Sequence, residues 1–199
     1  MERIAGSAAD APLRVTGEER GDRWLIYGCA GLRALAVSLS GVIVSLYLVA
    51  LGYHASSIGL FVSAGLAGCA AGTLLVTQLT DRLGRRASLV CIAWLMALGG
   101  LGMVTLTGPL SMLLACAFFG MVNGMGRDRG PGLTVEQAML PQTGRSPDRT
   151  AIFAWYNVVV DAGHAVGALL AILPAWFRVQ WHLPAVTSYR VTWLIYSVL

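Results

Sequence analysis

The chain alternates long apolar runs with short polar breaks, and one break is the charged hexapeptide Asp81-Arg82-Leu83-Gly84-Arg85-Arg86. The hexapeptide lies between the apolar runs 57–79 and 87–107, where a chain that crosses a bilayer twice has to turn around. A bilayer core needs about 20 apolar residues in a helix. Within lipid, a helix satisfies every backbone N–H and C=O group internally. The runs therefore predict an all-α, polytopic membrane protein.

The composition supports this fold class, since 56% of the residues are hydrophobic, 12% are charged and the mean hydropathy is +0.68. All 14 basic residues are arginine, and the net charge of +4 is explained by arginines in loops. No nucleic-acid partner is therefore expected. The four cysteines lie inside apolar runs without the spacing of a metal site or a disulfide framework. Neither a metal nor another cofactor is expected.

Polar breaks divide the chain into a short tail and six predicted spans. The spans lie at about 24–52, 57–79, 87–107, 110–140, 151–177 and 189–199. Residues 1–22 mix both charge signs and have no apolar core, which predicts a cytoplasmic tail rather than a signal peptide. The apolar part of the last span, 191–199, covers only about 14 Å at 1.5 Å per residue. The sequence thus predicts a truncated sixth helix.

The arginines are distributed unequally between the two ends of the predicted spans. Loops on the cytoplasmic side of a membrane carry an excess of arginine and lysine. Only Arg178 and Arg190 fall on one side. The other side has nine, namely Arg3, Arg14, Arg20, Arg23, Arg82, Arg85, Arg86, Arg145 and Arg149. This pattern predicts a cytoplasmic N-terminus, with a bacterial inner membrane as the expected location.

The segment from Thr77 to Arg86 resembles the signature loop between helices two and three of the major facilitator superfamily, which usually reads Gly-x-x-x-Asp-Arg-x-Gly-Arg-Arg. Thr77 replaces the first glycine, and the other defining positions match. The stretch Glu136 to Arg149 is similar to the acidic, proline and arginine pattern that ends helix four in many members. The resemblance covers residues 24–199. It implies an N-terminal six-helix half, built as two inverted three-helix repeats, with the C-terminal half absent from this chain.

The resemblance also implies a conformational gate at the cytoplasmic end, because the loop charges of the family hold the two halves together in the outward-facing state. The residues that inherit this role are Asp81, Arg82, Gly84, Arg85 and Arg86, with Glu136 as the expected partner of Arg85. A carboxylate near a helix N-terminus and an arginine with paired donors suit such a network. The alternative is that these arginines only fix the topology.

Further ionisable residues lie within or beside the predicted spans. Charged groups at membrane depth are costly unless they face water or pair with one another. Candidates for a substrate or proton pathway are therefore Arg33, Arg127, Asp128, Arg129, Asp161 and His164. Arg33 and Asp161 are at equal depth, about 14 Å of helix rise from the cytoplasmic entry, which predicts an ion pair. His164, one turn beyond Asp161, would be either a proton relay or a buried hydrogen-bonding group.

The placement of the charged residues 127–129 depends on where helix four ends. An end near Gly126 would leave them in a cytoplasmic loop. A helix that continues to Leu140 would bring them into the central cavity, which helix four lines in the family. Arginines in that cavity would suit an anionic or carboxylate-bearing solute, since guanidinium offers paired donors. Asp128 would then offset one arginine when the site is empty.

Three Gly-x-x-x-Gly spacings, at 68–72, 120–124 and 163–167, predict close packing of helices rather than chemistry.

The sequence has no nucleophile elbow, P-loop or metal cluster, so neither an enzyme nor ATP-driven transport is expected. The resemblance implies secondary active transport of a small polar or anionic solute by alternating access, with proton coupling as an option. The expected partners are the solute, the lipid bilayer, and the missing half or a second subunit. The alternative is a truncated product that transports nothing, or a six-helix module that assembles with another protein.

Overall fold

The computed structural model describes residues 17–106, 108–127, 130–144 and 146–199. Within these ranges the chain forms helices and no strand, which confirms the all-α fold class. The α-helices are α1 (Gly17–Ala50), α2 (Ala55–Leu83), α3 (Arg85–Thr105), α4 (Leu110–Phe119), α5 (Pro131–Met139), α6 (Arg149–Leu170), α7 (Leu173–Trp181) and α8 (Ala185–Val198). Short 3-10 helices follow α5 at Leu140–Gln142 and precede α6 at Ser146–Asp148. Asp128, Arg129, Arg145 and most of the predicted tail lie outside the described residues.

Helix boundaries differ from the predicted spans at three places. α1 begins at Gly17, so residues 17–22 of the predicted tail are helical. The predicted fourth span consists of two helices, α4 and α5, of 10 and 9 residues. A turn at Ala171–Ile172 separates α7 from α6.

Four helical segments are long and apolar enough to cross a membrane: Gly21–Ala50, Ala55–Leu83, Arg85–Thr105 and Arg149–Trp181. α4 is apolar but shorter, and α8 has 14 residues. The first, second, third and fifth predicted spans thus each correspond to a described helical segment long enough for one crossing. The fourth predicted span is interrupted between α4 and α5.

Gly84 makes the sharp turn inside the charged hexapeptide. Its φ of 83° and ψ of 154° lie in a region that residues with a Cβ rarely adopt. Its N–H donates to the carbonyl of Thr80, and α3 begins at the next residue, Arg85. The glycine of the motif therefore lets two long helices meet with no connecting loop.

The helices pack in a pattern that has an internal symmetry. α1 packs mainly on α6, α2 packs on α4 and α5, and α3 packs on α8. If the chain contains two related repeats, α1 corresponds to α4, α2 to α6 and α3 to α8. Under this correspondence the α1–α6 contact is matched by the α4–α2 contact, and the α3–α8 contact is matched by itself. Two related three-helix repeats produce such a pattern. The packing is therefore consistent with the repeat architecture expected from the resemblance, although the sequence itself shows no strong repeat.

Glycines allow the closest of these contacts. Gly163 and Gly167 of α6 lie against the backbone carbonyls of Gly31 and Leu35 of α1, where an added Cβ would collide with the carbonyl oxygen. Gly68 of α2 meets the backbone of α4 in the same way. These positions have the packing role predicted from the Gly-x-x-x-Gly spacings.

Buried side chains form separate apolar clusters along α1. One cluster includes Ile26, Tyr27 and Ala30 with residues of α6, and a larger one includes Leu39, Ile43 and further α1 residues with α2, α3, α4 and α8. The α1 segment between the two clusters contains Arg33. This places a charged side chain at the junction of two apolar cores.

Candidate functional site

Arg33, Glu136 and Tyr156 form a buried polar cluster that joins α1, α5 and α6. Arg33 donates from Nη2 to Glu136 Oε2 over 2.5 Å and from Nε to Oε1 over 3.2 Å. The hydroxyl of Tyr156 donates to Glu136 Oε2 over 2.7 Å. Glu136 is 1% exposed and Tyr156 is 0% exposed. The carboxylate is therefore held by two donors of a guanidinium and by one phenol, away from solvent.

The local sequence explains why these groups can meet. Pro131 starts α5, where its missing N–H costs nothing and its fixed φ suits a helix. Gly132, in the first turn, leaves space for Arg33, since an added Cβ would lie 3.0 Å from Arg33 Nε. Glu136 follows one turn later on the same helix. Tyr156 lies seven residues before Gly163, on the side of α6 that packs against α1.

A gain in folding stability is a poor explanation for a buried ion pair of this kind. Removal of two charges from water costs several kcal/mol per ion, and apolar replacements of similar volume are often as stable. Ionisable residues at membrane depth usually mark a functional site or pathway. The cluster is therefore the strongest candidate functional site among the described residues.

Two predicted pairings are wrong. Arg33 pairs with Glu136 rather than with Asp161, and Asp161 is exposed. Equal depth in the membrane was insufficient to predict the pair. Gly163 marks the face of α6 that meets α1, and Asp161, two residues earlier, points about 160° away from that face. Glu136 is not the partner of Arg85.

Arg85 instead donates from Nη1 to the carbonyl of Ala138 over 3.2 Å. Ala138 belongs to the last turn of α5, whose carbonyl groups have no partner within the helix. Glu136 lies two residues earlier and faces α1. Arg85 therefore interacts with the end of α5, as a C-terminal cation does with the helix dipole, and not with the buried carboxylate.

The fourth span is interrupted between Phe119 and Pro131, so helix four neither ends near Gly126 nor continues to Leu140. Met121 and Gly126 both have positive φ, 53° and 62°. An interruption by a glycine-rich segment and a proline is physically reasonable, since both residue types disfavour a helix interior.

The interrupting segment folds back toward the beginning of α2 before it returns. Phe118 lies against Gly68, whereas Gly124 lies against Val62, six residues earlier in α2. Six residues of helix correspond to about 9 Å. Pro131 then lies against Gly72, further along α2 than either. The described residues 120–127 therefore form a re-entrant segment beside the middle of α2.

Side chains of α2 and of the segment satisfy part of this irregular backbone. The Cys69 thiol donates to the carbonyl of Met121 over 3.5 Å, and Asn123 Oδ1 accepts from the N–H of Met125 over 3.2 Å. Asn123 and Val122 are buried. Non-helical backbone at membrane depth persists only where it is buried in protein or lines a water-filled cavity. The re-entrant segment is therefore packed against α2 as part of the protein interior.

The described members of the predicted pathway share an electrostatic neighbourhood at His164. Arg33, Arg127 and Asp161 each interact electrostatically with the His164 ring. Arg127 is exposed at the end of the re-entrant segment, and His164 is half-buried. Asp128 and Arg129 lie outside the described residues. Their roles in a pathway remain predictions.

The gate residues are mostly at the surface. Asp81, Arg82 and Gly84 are exposed, and no ion pair joins Asp81 to another described residue. Arg86 pairs with Asp22 of α1 over 2.9 Å, with both side chains at least half exposed. Within the described residues, the predicted charge network is therefore not assembled.

The Arg86–Asp22 pair is expected to contribute little to stability. Exposed ion pairs are worth about 0–1 kcal/mol because water and salt screen them. Arg86→Gln should therefore lower the free energy of unfolding by less than about 1 kcal/mol. Denaturation of purified protein in micelles at low and high salt measures this. A loss of several kcal/mol would show that Arg86 has a further partner.

Sequence reasoning missed Tyr156, Asn123 and Cys69. Tyr156 could have been found from the sequence. It lies seven residues before Gly163, and therefore on the same face of the fifth predicted span as Gly163 and Gly167. Asn123 and Cys69 carried no such signal, since their contact depends on how the re-entrant segment folds.

Two comparisons relate the chain to known proteins. The sequence model described as Major Facilitator Superfamily matches residues 26–199. An uncharacterized membrane protein of Saccharomyces cerevisiae, YJR124C, is 31% identical over 146 residues, which cover 73% of this chain and 32% of the yeast protein. The chain therefore spans about a third of that relative's length. The family match, the membrane relative and the long apolar helices together show that this chain is an integral membrane protein of the major facilitator superfamily.

Proposed function

We propose that the chain forms half of a secondary active transporter that moves a small polar or anionic solute by alternating access. Members of the superfamily carry small molecules across the bilayer and are transporters rather than enzymes. The observation that carries the proposal is the broken fourth span beside the buried arginine. Transporters place their solute sites near the middle of the membrane, where helices are discontinuous.

Arginines favour an anionic solute. Arg33 lies against Gly132, in the first turn of the helix that follows the re-entrant segment, and Arg127 lies at the exposed end of the segment. Guanidinium groups bind carboxylate and phosphate through paired donors, and desolvated cations attract anions strongly. Arg127 is exposed, so it is available to a solute in a way that the paired Arg33 is not.

The least buried long helices suggest where a second half or subunit would pack. The most apolar window of α6 is 17% buried and that of α2 is 22% buried, against 56% for α1. α6 also exposes Asn157 and Asp161, which would be costly against lipid. We infer that this face of α6 meets the other half or a water-filled cavity.

The topology proposed from the arginine distribution places the N-terminus in the cytoplasm. The expectation of a bacterial inner membrane stays a prediction, and the yeast relative shows that similar chains occur in a eukaryote. Cysteine accessibility from each side of the membrane tests the orientation. Labelling of a cysteine at position 22 only from the outside would contradict it.

Transport itself is tested with the full-length gene product in proteoliposomes. Uptake of labelled acetate, phosphate and a neutral sugar should show saturable entry of an anion. Arg127→Gln should abolish this entry, whereas Arg178→Gln, on α7 outside the re-entrant segment, should not. No uptake of any tested solute by correctly inserted protein would favour the alternative, a membrane module that transports nothing.

Asp81→Asn is expected to reduce transport by about tenfold while membrane insertion stays intact, the typical size of a coupling between sites. Asp81 has no ion-pair partner among the described residues, so the proposed gate requires a partner in the other half. Asp148→Asn is the matched control, because it removes an exposed carboxylate at the same predicted end of the membrane and does not contact a gate residue. Normal uptake by the Asp81 variant would remove the gate from the mechanism.

A further inference from the structure

Three sulfur-containing residues from three different elements border one small cavity inside the fold. Cys69 belongs to α2, Met96 to α3 and Met121 to the re-entrant segment, and the cavity that they border has a volume of about 10 Å³. This is room for about one water molecule. Cys69 is 4% exposed and Met121 is 7% exposed. The spacing of the cysteines did not indicate this group, because its members come from separate elements.

Hydrogen bonds and close contacts hold the three residues together. The Cys69 thiol donates to the carbonyl of Met121 over 3.5 Å, and Asn123 Nδ2 donates to Cys69 Sγ over 3.8 Å. An added Cβ at Gly72 would lie 3.1 Å from Met121 Sδ. Gly72 is one helical turn beyond Cys69 on the same face of α2. Met96 packs against the same apolar cluster. The thiol and the two thioethers therefore belong to one packed group.

Met121 has a backbone conformation that is unusual for a methionine. Its φ of 53° lies in the left-handed region, which residues with a Cβ seldom adopt. Methionine commonly fills gaps in a core, and it can do so from an ordinary backbone. Residues held in such rare conformations concentrate at functional sites and ligand contacts. The left-handed backbone therefore points to a role for the Met121 side chain beyond filling space.

The ligand types and the nearby charge favour a soft, monovalent cation. Thiolate and thioether are soft ligands that suit Cu(I). Among the described residues, no three His, Cys, Asp or Glu side chains come together as they do in sites for harder metals. Arg33 borders the same cavity, so an added net positive charge would be repelled. Cu(I) in place of the thiol proton of Cys69 leaves the net charge unchanged, whereas Zn²⁺ would add one positive charge.

We propose that Cys69, Met96 and Met121 bind one Cu(I) ion between α2, α3 and the re-entrant segment. In the binding step a Cu–S bond forms at Cys69, its S–H bond breaks, and the proton leaves to water. Copper stays Cu(I) throughout, and the two thioethers donate lone pairs. Asn123 remains a hydrogen-bond donor to the thiolate sulfur, as an outer-shell partner that orients the ligand.

The position of the site gives the ion a path and a structural effect. A groove of about 430 Å³ between α1, α3 and α8 borders Met96 and Ile92, which also border the small cavity. An ion can therefore enter from the groove past Met96. Cys69 is the central residue of α2. A bound ion would fasten the re-entrant segment to the middle of α2 and to α3, whatever solute the proposed transporter carries.

The test is titration of the purified full chain in micelles with Cu(I), kept reduced by ascorbate, in competition with the chelator bicinchoninate. We expect one Cu(I) per chain for the wild type. Cys69→Ser should lower the affinity by more than about 100-fold, since loss of an outer-shell partner alone costs about 10–100-fold. The matched control replaces the other three cysteines, Cys29, Cys91 and Cys116, with serine and should keep the wild-type affinity.

The methionines are tested with leucine, which removes the sulfur and nearly keeps the volume. Met96→Leu and Met121→Leu should each lower the affinity by at least about tenfold. Met103→Leu is the matched control, because Met103 is a fully buried methionine of α3 in a different apolar cluster. Its affinity should equal that of the wild type. X-ray absorption at the copper edge should show a shell of sulfur without nitrogen or oxygen.

Each outcome decides the proposal. No Cu(I) binding by the wild type, or binding that persists in Cys69→Ser, overturns the site. Unchanged affinity in both leucine variants, or nitrogen or oxygen in the copper shell, overturns the ligand set. Equal affinity for Zn²⁺ overturns the choice of a monovalent ion. If Cys69→Ser does not fold, the leucine variants and the copper shell decide. Failure of the metal site leaves the proposed anion transport standing.

Discussion

Replacement of Glu136 with alanine should lower the free energy of unfolding by about 3–5 kcal/mol, because it breaks a buried ion pair in which the carboxylate accepts two hydrogen bonds from Arg33. The loss exceeds that of an ordinary surface change because Glu136 is 1% exposed and holds together three helices. Truncation also removes the acceptor of the Tyr156 hydroxyl. SDS-driven unfolding in mixed micelles, followed by circular dichroism, measures the change.

The matched control is the double variant Arg33→Met, Glu136→Leu. Apolar residues of similar volume often replace a buried ion pair without loss, so this variant should be more stable than Glu136→Ala alone. The comparison separates the effect of losing the carboxylate charge from the effect of losing side-chain volume. Equal stability of the double variant and the single variant would mean that packing at Glu136, rather than its charge, holds α5 in place.

The long helices and the turn between α2 and α3 followed directly from the sequence. Apolar runs of the length of a bilayer define α1, α2, α3 and α6, because each run is specified by local composition. Gly84 and its flanking charges similarly identified the turn between α2 and α3, since positive φ is a property of a single residue. Such features depend on neighbours in sequence alone.

The partners of charged residues did not follow from the sequence in the same way. Arg33 and Asp161 share a depth, but pairing also requires that both side chains lie on facing sides of their helices. Gly163 and Gly167 define which side of α6 meets α1, and Asp161 is on another side. Glycine stripes could therefore have corrected the pairing. Depth gives the position of a residue along its helix, and the packed face gives the direction in which its side chain points. Both are needed to predict a pair.

The interruption of helix four was harder to predict for a different reason. Glycines near position 126 and the Gly-Pro-Gly at 130–132 indicated a break, but they did not indicate a chain that reverses within the membrane. That reversal involves the close fit of the segment against Gly65 of α2 and Gly41 of α1. Contacts between residues distant in sequence decide it, and local propensity does not encode them.

Gly167→Val is expected to cost about 1–3 kcal/mol or more, because overpacking of a close contact forces the surrounding structure to move. A Cβ at position 167 would collide with the carbonyl of Leu35, and a backbone carbonyl cannot rotate away as a side chain can. The matched control is Gly28→Val on α1, where an added Cβ meets nothing within 4 Å. This control should be neutral or slightly stabilising, since glycine disfavours a helix interior.

Unfolding of both glycine variants in the same micelles measures the difference, and the ion pair provides a second readout. α1 and α6 carry Arg33 and Tyr156, so a separation of these helices at Gly167 should also weaken the hold on Glu136. The Glu136→Ala cost should therefore shrink when it is measured in the Gly167→Val background, as coupled sites require. If the two costs simply add, the helix contact and the buried cluster are independent, and the glycines of α6 position the helix without positioning the site.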